Sequence, residues 1–177
     1  RGTHVIRDPR DLLVSAYLYH LRTDEEWCSK PNPNHRDLPT GVSYQQHLNS
    51  LSREQGLLYE LANVSGGIIT NMASWNYDDP RFLELRFEDV VGNERSSFAR
   101  IFRWYGMPWL YRRRAVNMAE SWSLGKMPGG DRAVRHARKG SRRGQWQDFF
   151  TPRVKQEFKR RYGGVLIKLG YVADHDW

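Results

Sequence analysis

The chain has 177 residues, a length that suits one domain and can bury a substantial apolar core without disulfide bonds or metal ions. Apolar residues make up 39% of it and charged residues 27%, with seven Trp and nine Tyr, which indicates a globular protein and excludes a disordered chain. Lys and Arg number 28 against 20 Asp and Glu, and the single cysteine, Cys28, excludes an intrachain disulfide.

Several features bear on location and completeness. No run of residues reaches the roughly 18 apolar positions of a membrane span, and the amino terminus lacks the pattern of a signal peptide. We therefore expect a soluble, cytoplasmic protein. The chain opens with Arg1 and runs at once into a strand-like segment, so we also expect that sequence upstream is missing.

In chain order, the first predicted elements are a strand at residues 3–6 and a helix at residues 10–22. Asp8 is a preferred N-cap residue, Pro9 suits the first helical position and Asp11 suits the first turn. The apolar side chains of this helix lie nearly all round it, which predicts burial on most of its faces.

The second half of the pattern alternates helices with a strand. A helix is predicted at residues 44–62, stopping near Gly66 and Gly67, and another at 68–76. Residues 82–87 alternate apolar and polar side chains, which predicts a strand. The remaining predicted elements are helices at 95–105, 111–122 and 152–169 and a basic, glycine-rich loop at 126–146. This alternation predicts an α/β class with a parallel sheet.

The junction between the first strand and helix is a candidate anion site. A helix amino terminus presents backbone N–H groups and a positive dipole end, and the Arg7 guanidinium stands beside it. Ser15 is the lone hydroxyl in the apolar helix. Two plainer interpretations stay open: Arg7 pairs with Asp11, or Ser15 bonds the carbonyl four residues back.

A cationic segment is the second candidate. Six of the 28 cations fall within residues 132–143, which contain no acid, so the positive excess is mostly local. Arg138, Lys139 and Gly140 open a glycine-bearing stretch where the backbone can approach an anion closely, although a solvated basic loop is the alternative. Ser121 is followed by Trp122, whose indole suits either stacking on a purine or burial in the core.

Several stretches, in the same order along the chain, resemble motifs of sulfotransferases that use 3′-phosphoadenosine 5′-phosphosulfate. They are residues 4–20 (HVIRDPRDLLVSAYLYH), residues 82–90 (FLELRFEDV), Ser121 with Trp122, residues 138–150 (RKGSRRGQWQDFF) and the tail 166–177 (LIKLGYVADHDW). The resemblance spans essentially the whole chain, which it identifies as the carboxyl-terminal portion of a single sulfotransferase domain at residues 1–177. It implies an α/β, P-loop-kinase-like three-layer fold with a central parallel sheet, incomplete on its amino-terminal side.

The resemblance also implies roles for the candidate residues. Arg7 and Ser15 would hold the 3′-phosphate, aided by Arg138 and the Gly140 backbone, while Lys139 belongs to the same motif without having to touch the nucleotide. Phe87 and Trp122 would flank the adenine, in place of the family's more usual Tyr and Phe, and Ser121 is the family's partner of that second ring.

The resemblance further implies a small-molecule acceptor with a hydroxyl or amine, and no metal, nucleic acid or membrane. The family's phosphosulfate loop and its usual catalytic histidine precede residue 3, so we name no catalytic residue and expect the isolated chain to be inactive. The family's dimer motif would fall at Gln147, Thr151-Pro152 and Gln156, where only Thr151 matches it, which leaves the oligomeric state open.

Two other functions are compatible with the sequence. A non-catalytic basic module that binds nucleic acid or another polyanion would explain the cationic cluster at residues 132–143, and its binding would depend steeply on salt. A related nucleotide or small-molecule kinase is the third possibility, although no glycine-rich loop that ends in Lys-Ser or Lys-Thr occurs in the chain.

Overall fold

A computed structural model describes residues 1–32, 37–121 and 143–177. The chain forms two compact units, of which the first holds the described residues 1–7 and 75–121. The second holds the described residues 8–32, 37–74 and 143–177. That all 177 residues act as one domain stays a prediction.

The described elements run as follows: β1 Gly2–Ile6, α1 Pro9–His20, α2 Glu26–Ser29, α3 Tyr44–Ser50, α4 Arg53–Glu60, a π-helical segment Leu61–Ser65, α5 Gly66–Ser74, β2 Phe82–Arg86, α6 Phe87–Val90, α7 Glu94–Trp104, α8 Trp109–Ser121, a 3-10 turn Gln145–Asp148 and α9 Pro152–Lys168. Both predicted strands are confirmed, and the helices predicted at 10–22, 95–105, 111–122 and 152–169 are confirmed to within two residues at each end. Among these elements no helix has the length and apolar character needed to cross a membrane.

The first unit is built on a parallel pair of strands. β1 and β2 pair in register from Gly2 opposite Phe82 to Ile6 opposite Arg86. Ile6 and the inward side chains of β2 are buried, as is Val116 of α8, which packs with α7 in the same unit. Mixed helices and a small parallel sheet are consistent with the predicted α/β class.

The second unit contains the main apolar core. Its buried members come from six α-helices and the π-helical segment: Leu13, Val14, Tyr17, Cys28, Tyr44, Leu48, Leu57, Leu61, Ile69, Val154, Phe158 and Leu166. Helix α1 supplies three of them and α9 another three, and both helices begin with a side-chain cap and a proline in the first turn. Thr151 caps α9 and also hydrogen-bonds Glu54 of α4, so it has a structural role within the chain.

The single helix predicted at residues 44–62 is wrong. Leu51 is extended, with φ −89° and ψ 153°, and Ser52 begins a new helix with a capping box. The Ser52 hydroxyl accepts a hydrogen bond from the Gln55 backbone N–H, while the Gln55 side chain accepts one from the Ser52 N–H. The apolar spacing alone indicates one continuous helix, but the Ser-x-x-Gln capping box starts a second helix within it.

The predicted stop near Gly66 and Gly67 is also wrong. The chain continues through the π-helical segment, and Gly66 itself is helical, with φ −61° and ψ −39°. A side chain at Gly66 would collide with the Tyr162 hydroxyl of α9. This glycine therefore permits close packing of two helices and does not end one.

Candidate functional site

In the first unit, the strand pairing brings Arg7 and Phe87 together. Ile6 lies opposite Arg86 in the parallel ladder, so the next residue of each strand leaves the sheet at the same edge. The guanidinium carbon of Arg7 lies 4.9 Å from the centroid of the Phe87 ring, which is within cation–π range. Both side chains are half-buried. The structure thus places a cation against an aromatic ring at the carboxyl edge of parallel strands, where α/β proteins bind ligands.

In the second unit, Asp8 caps α1 as predicted. Its carboxylate accepts a hydrogen bond of 2.9 Å from the Arg10 backbone N–H. The same carboxylate forms two short hydrogen bonds with the Arg10 guanidinium, 2.9 Å from Nε and 2.7 Å from Nη2. The Arg10 amide is therefore satisfied within the protein, and the helix end is not an open row of N–H donors.

Ser15 lies two turns into α1 and is half-buried. Its hydroxyl makes no hydrogen bond to any residue that the structure describes, so the plainer interpretation, a bond to the Asp11 carbonyl, is not observed. Thr70 of α5, by contrast, does donate to the carbonyl four residues back, at 2.9 Å. Within the described chain, Ser15 keeps a hydroxyl that no intrahelical bond occupies.

Asp11 binds the backbone of the residues that follow the cationic cluster at residues 132–143. Its carboxylate is 1% exposed and accepts hydrogen bonds from the Gly144 and Trp146 backbone N–H groups, at 2.8 Å each. Gly144 has φ 74°, a conformation that favours glycine. Asp11 and Ser15 are four residues apart and so share a face of α1. The chain that continues from the Arg-Lys-Gly motif is therefore attached to the helix face that carries Ser15.

The remaining predicted site residues fall in two groups. Ser121 ends α8 and is exposed, and its hydroxyl donates to the Met118 carbonyl at 2.7 Å. Trp122, Arg138, Lys139 and Gly140 lie outside the described residues.

The sequence interpretation missed Asp11 as a site residue, and it missed the contacts of Arg10 altogether. The sequence indicates Asp11 only as a first-turn acid or a partner of Arg7. No local pattern indicates the contacts of Asp11, because Gly144 and Trp146 lie more than 130 positions further along the chain.

A separate polar cluster lies in the core of the second unit. The Glu60 carboxylate is fully buried and lies 2.8 Å from His20 Nδ1, and it accepts hydrogen bonds from the Tyr44 and Ser65 hydroxyls at 2.9 and 2.7 Å. Burial, with Glu60 nearby, raises the pKa of the adjacent Cys28 thiol to about 12. These groups satisfy one another inside the core, so the cluster is structural. No group of three or more metal-ligating side chains occurs among the residues described.

A comparison with protein-family models identifies the family of this chain. The family model described as "Sulfotransferase domain" matches residues 3–170, nearly the whole chain. The chain therefore belongs to the sulfotransferase family, and the resemblance seen in its motifs is confirmed. Searches of curated proteins and of solved structures give no match.

Proposed function

We propose that this sulfotransferase domain binds 3′-phosphoadenosine 5′-phosphosulfate and serves the transfer of its sulfuryl group to a hydroxyl or amine of a small acceptor. In that reaction the bond between sulfur and the 5′-phosphate oxygen breaks and a bond from sulfur to the acceptor forms. The acceptor proton passes to a base, and adenosine 3′,5′-bisphosphate leaves. The P-loop-kinase-like arrangement of the sheet belongs to the same proposal.

The contact between Arg7 and Phe87 is the observation that carries this proposal. A nucleotide with a 3′-phosphate requires a cation for the phosphate and a flat apolar surface for the purine. An arginine fork binds a phosphate through two parallel charge-assisted hydrogen bonds. An aromatic ring stacks on a base with a free energy of about 1–3 kcal/mol. The first unit presents both groups at one edge of its parallel sheet.

Ser15 is the second contributor in this proposal. Its hydroxyl has no described hydrogen-bond partner, and it shares a helix face with Asp11, which anchors the residues after the Arg-Lys-Gly motif. A hydroxyl and a basic, glycine-bearing segment together suit a phosphate with several oxygens. In this proposal Arg138 and the Gly140 backbone bind the 3′-phosphate. Trp122, next to Ser121, stacks on the adenine.

Catalysis itself is assigned to none of these residues. Sulfuryl transfer, like phosphoryl transfer, depends on placing the acceptor oxygen in line and on stabilising charge on the transferred and leaving groups. The residues proposed here hold the 3′-phosphate and adenine end of the donor, and so fix its position. We expect the isolated chain to bind the nucleotide without transferring its sulfuryl group.

Replacing Arg7 tests the proposal. Arg7→Ala is expected to weaken binding of adenosine 3′,5′-bisphosphate by about tenfold or more, the size of a lost charge-assisted hydrogen bond. Arg7→Lys keeps the positive charge but not the two-pronged guanidinium, and its affinity for the bisphosphate is expected to lie between those of the wild type and Arg7→Ala. Arg100→Ala removes an exposed arginine of α7 in the same unit and is the matched control. Calorimetric affinities that are equal for Arg7→Ala and the wild type would refute the assignment of Arg7.

A further inference from the structure

The Arg10 guanidinium in the second unit contacts two indole rings, which also contact each other. Its central carbon is 4.4 Å from the Trp146 ring centroid and 4.6 Å from that of Trp177. The two rings meet edge to face, with centroids 5.3 Å apart and planes at 90°. The guanidinium also pairs with the Asp8 carboxylate, and Arg10 is only 6% exposed.

Trp177 also contacts three side chains of the last helix, α9. The ammonium groups of Lys155 and Lys159 lie 5.3 and 5.0 Å from its ring centroid, and the Phe158 ring is 6.2 Å away. Three cations therefore face one indole, an arrangement that an aliphatic side chain cannot reproduce because the attraction comes from the ring quadrupole. The segment before Trp177 packs on α9, where His175 Nδ1 would be 3.0 Å from a β-carbon at Gly163.

Trp146 links this cluster to the candidate site. Its backbone N–H donates to Asp11 at 2.8 Å, and the Gly144 N–H donates to the other oxygen of the same carboxylate. The side chain of Trp146 is thus held by Arg10 and Trp177, while its backbone is held by α1. A substitution of Trp177 therefore removes a contact of the Trp146 side chain and weakens the hold on the backbone of residues 144 and 146.

We infer that Trp177 is a positioning residue for the nucleotide site, because it holds Arg10 and Trp146 in place and so keeps residues 143–146 against the first turn of α1. Its effect on nucleotide affinity rests on the proposed function. Its effect on residues 143–146 does not, since that follows from the contacts alone.

The test separates these two effects. Backbone amide exchange of Gly144 and Trp146 is measured by NMR in the whole chain without nucleotide, for the wild type, Trp177→Leu and Trp177→Phe. Leu keeps an apolar side chain but removes the ring, and is expected to speed exchange of both amides at least tenfold. Phe keeps a smaller ring and is expected to speed it about threefold. Trp109→Leu, at an exposed tryptophan of α8, is the matched control and is expected to change neither amide.

The amide of Phe158, in the core, distinguishes a local effect from a general loss of structure. If Trp177→Leu unfolds the second unit, Trp177→Phe decides: faster exchange at Gly144 and Trp146 with an unchanged Phe158 amide supports the inference. Wild-type exchange rates at both amides in the folded Trp177 variants would overturn it.

The affinity of the same variants for adenosine 3′,5′-bisphosphate is the second readout, expected to be about tenfold weaker for Trp177→Leu. Faster exchange with unchanged affinity would overturn the inference, because residues 143–146 would then be held for stability alone. Failure of the wild type to bind the bisphosphate would refute the proposed function, and the exchange data would still decide the positioning of residues 143–146.

Discussion

Asp11 and Gly144 are 133 positions apart in the sequence and are joined by a hydrogen bond of 2.8 Å from the Gly144 N–H to the Asp11 carboxylate. The carboxylate is almost fully buried, and its second oxygen accepts from the Trp146 N–H. A buried carboxylate is stable only when its oxygens are hydrogen-bonded or paired. The bond therefore couples the first turn of α1 to the chain that follows the basic segment.

Replacing Asp11 with asparagine should weaken the attachment of Gly144 and Trp146 to the first turn of α1. The amide keeps one acceptor oxygen but turns an NH₂ group toward a backbone N–H, so one buried donor loses its acceptor. We expect the free energy of unfolding to fall by about 1–3 kcal/mol and nucleotide affinity to fall with it. Urea denaturation and calorimetric titration measure the two effects. Asp24→Asn, at an exposed aspartate of the same unit, should leave both unchanged, and an equally unaffected Asp11→Asn would show that the bonds do not hold the segment.

The Phe87 ring is expected to contribute apolar stacking. Phe87→Leu should leave the fold intact and weaken adenosine 3′,5′-bisphosphate about fivefold or more, the lower end of the range for losing a base-stacking ring. Phe87→Tyr keeps the ring and should bind at least as well as the wild type. Tyr111→Leu removes an aromatic ring that is 67% exposed and is the control in the same unit. Full affinity in Phe87→Leu would exclude a role for this ring at the adenine.

Glu60 is predicted to matter for stability alone. Glu60→Gln alters the buried acceptor of the Tyr44 and Ser65 hydroxyls and leaves His20 without its carboxylate, so we expect a loss of about 2 kcal/mol in the free energy of unfolding. Nucleotide affinity of the folded protein should not change. Glu26→Gln breaks an exposed pair with Lys30 and should cost less than about 1 kcal/mol. A large effect of Glu60→Gln on affinity without one on stability would make the cluster functional.

Cys28 gives a prediction for alkaline pH. Burial raises the pKa of its thiol from 9.0 to about 12 in the folded protein, so the folded state keeps a proton that the unfolded state loses between those values. The stabilisation is present below pH 9 and is lost as pH rises from 9 to 12. The slope in that window approaches about 1.4 kcal/mol per pH unit from this group.

The comparison of wild type with Cys28→Ala isolates this contribution, because burial also raises the pKa of Tyr44. Urea midpoints between pH 8 and 11 should fall more steeply for the wild type. A disulfide reagent should modify Cys28 at pH 8 only after unfolding. Rapid modification of the native protein would contradict the buried thiol.

Much of the fold follows from local sequence signals. Asp8 with Pro9 marked the start of α1, and period-two alternation marked β2, because caps and strand faces depend on neighbouring residues. The helix break at Ser52 and the continuation of the helix through Gly66 do not follow from the apolar pattern. The break at Ser52 comes from a local capping box, whereas the helix continues through Gly66 because that glycine packs closely against Tyr162.

The contacts of the candidate site depend on long-range pairing. Arg7 and Phe87 belong to separate motifs, and no local pattern predicts that they touch, since their contact depends on the register of β1 and β2. The pairing of Asp11 with Gly144, and of Arg10 with Trp146 and Trp177, joins residues more than a hundred positions apart, so no local signal predicts it. Roles that depend on such partners require the folded chain.

Titration of the chain with adenosine 3′,5′-bisphosphate beside AMP, in moderate salt, tests the central claim most directly. The two ligands share the adenine and 5′-phosphate, so their difference reports the 3′-phosphate alone. We predict binding of the bisphosphate at least about tenfold tighter than AMP, with modest salt dependence. Equal affinity for the two, or binding that rises and falls steeply with salt without regard to the 3′-phosphate, would contradict a 3′-phosphate site in this domain.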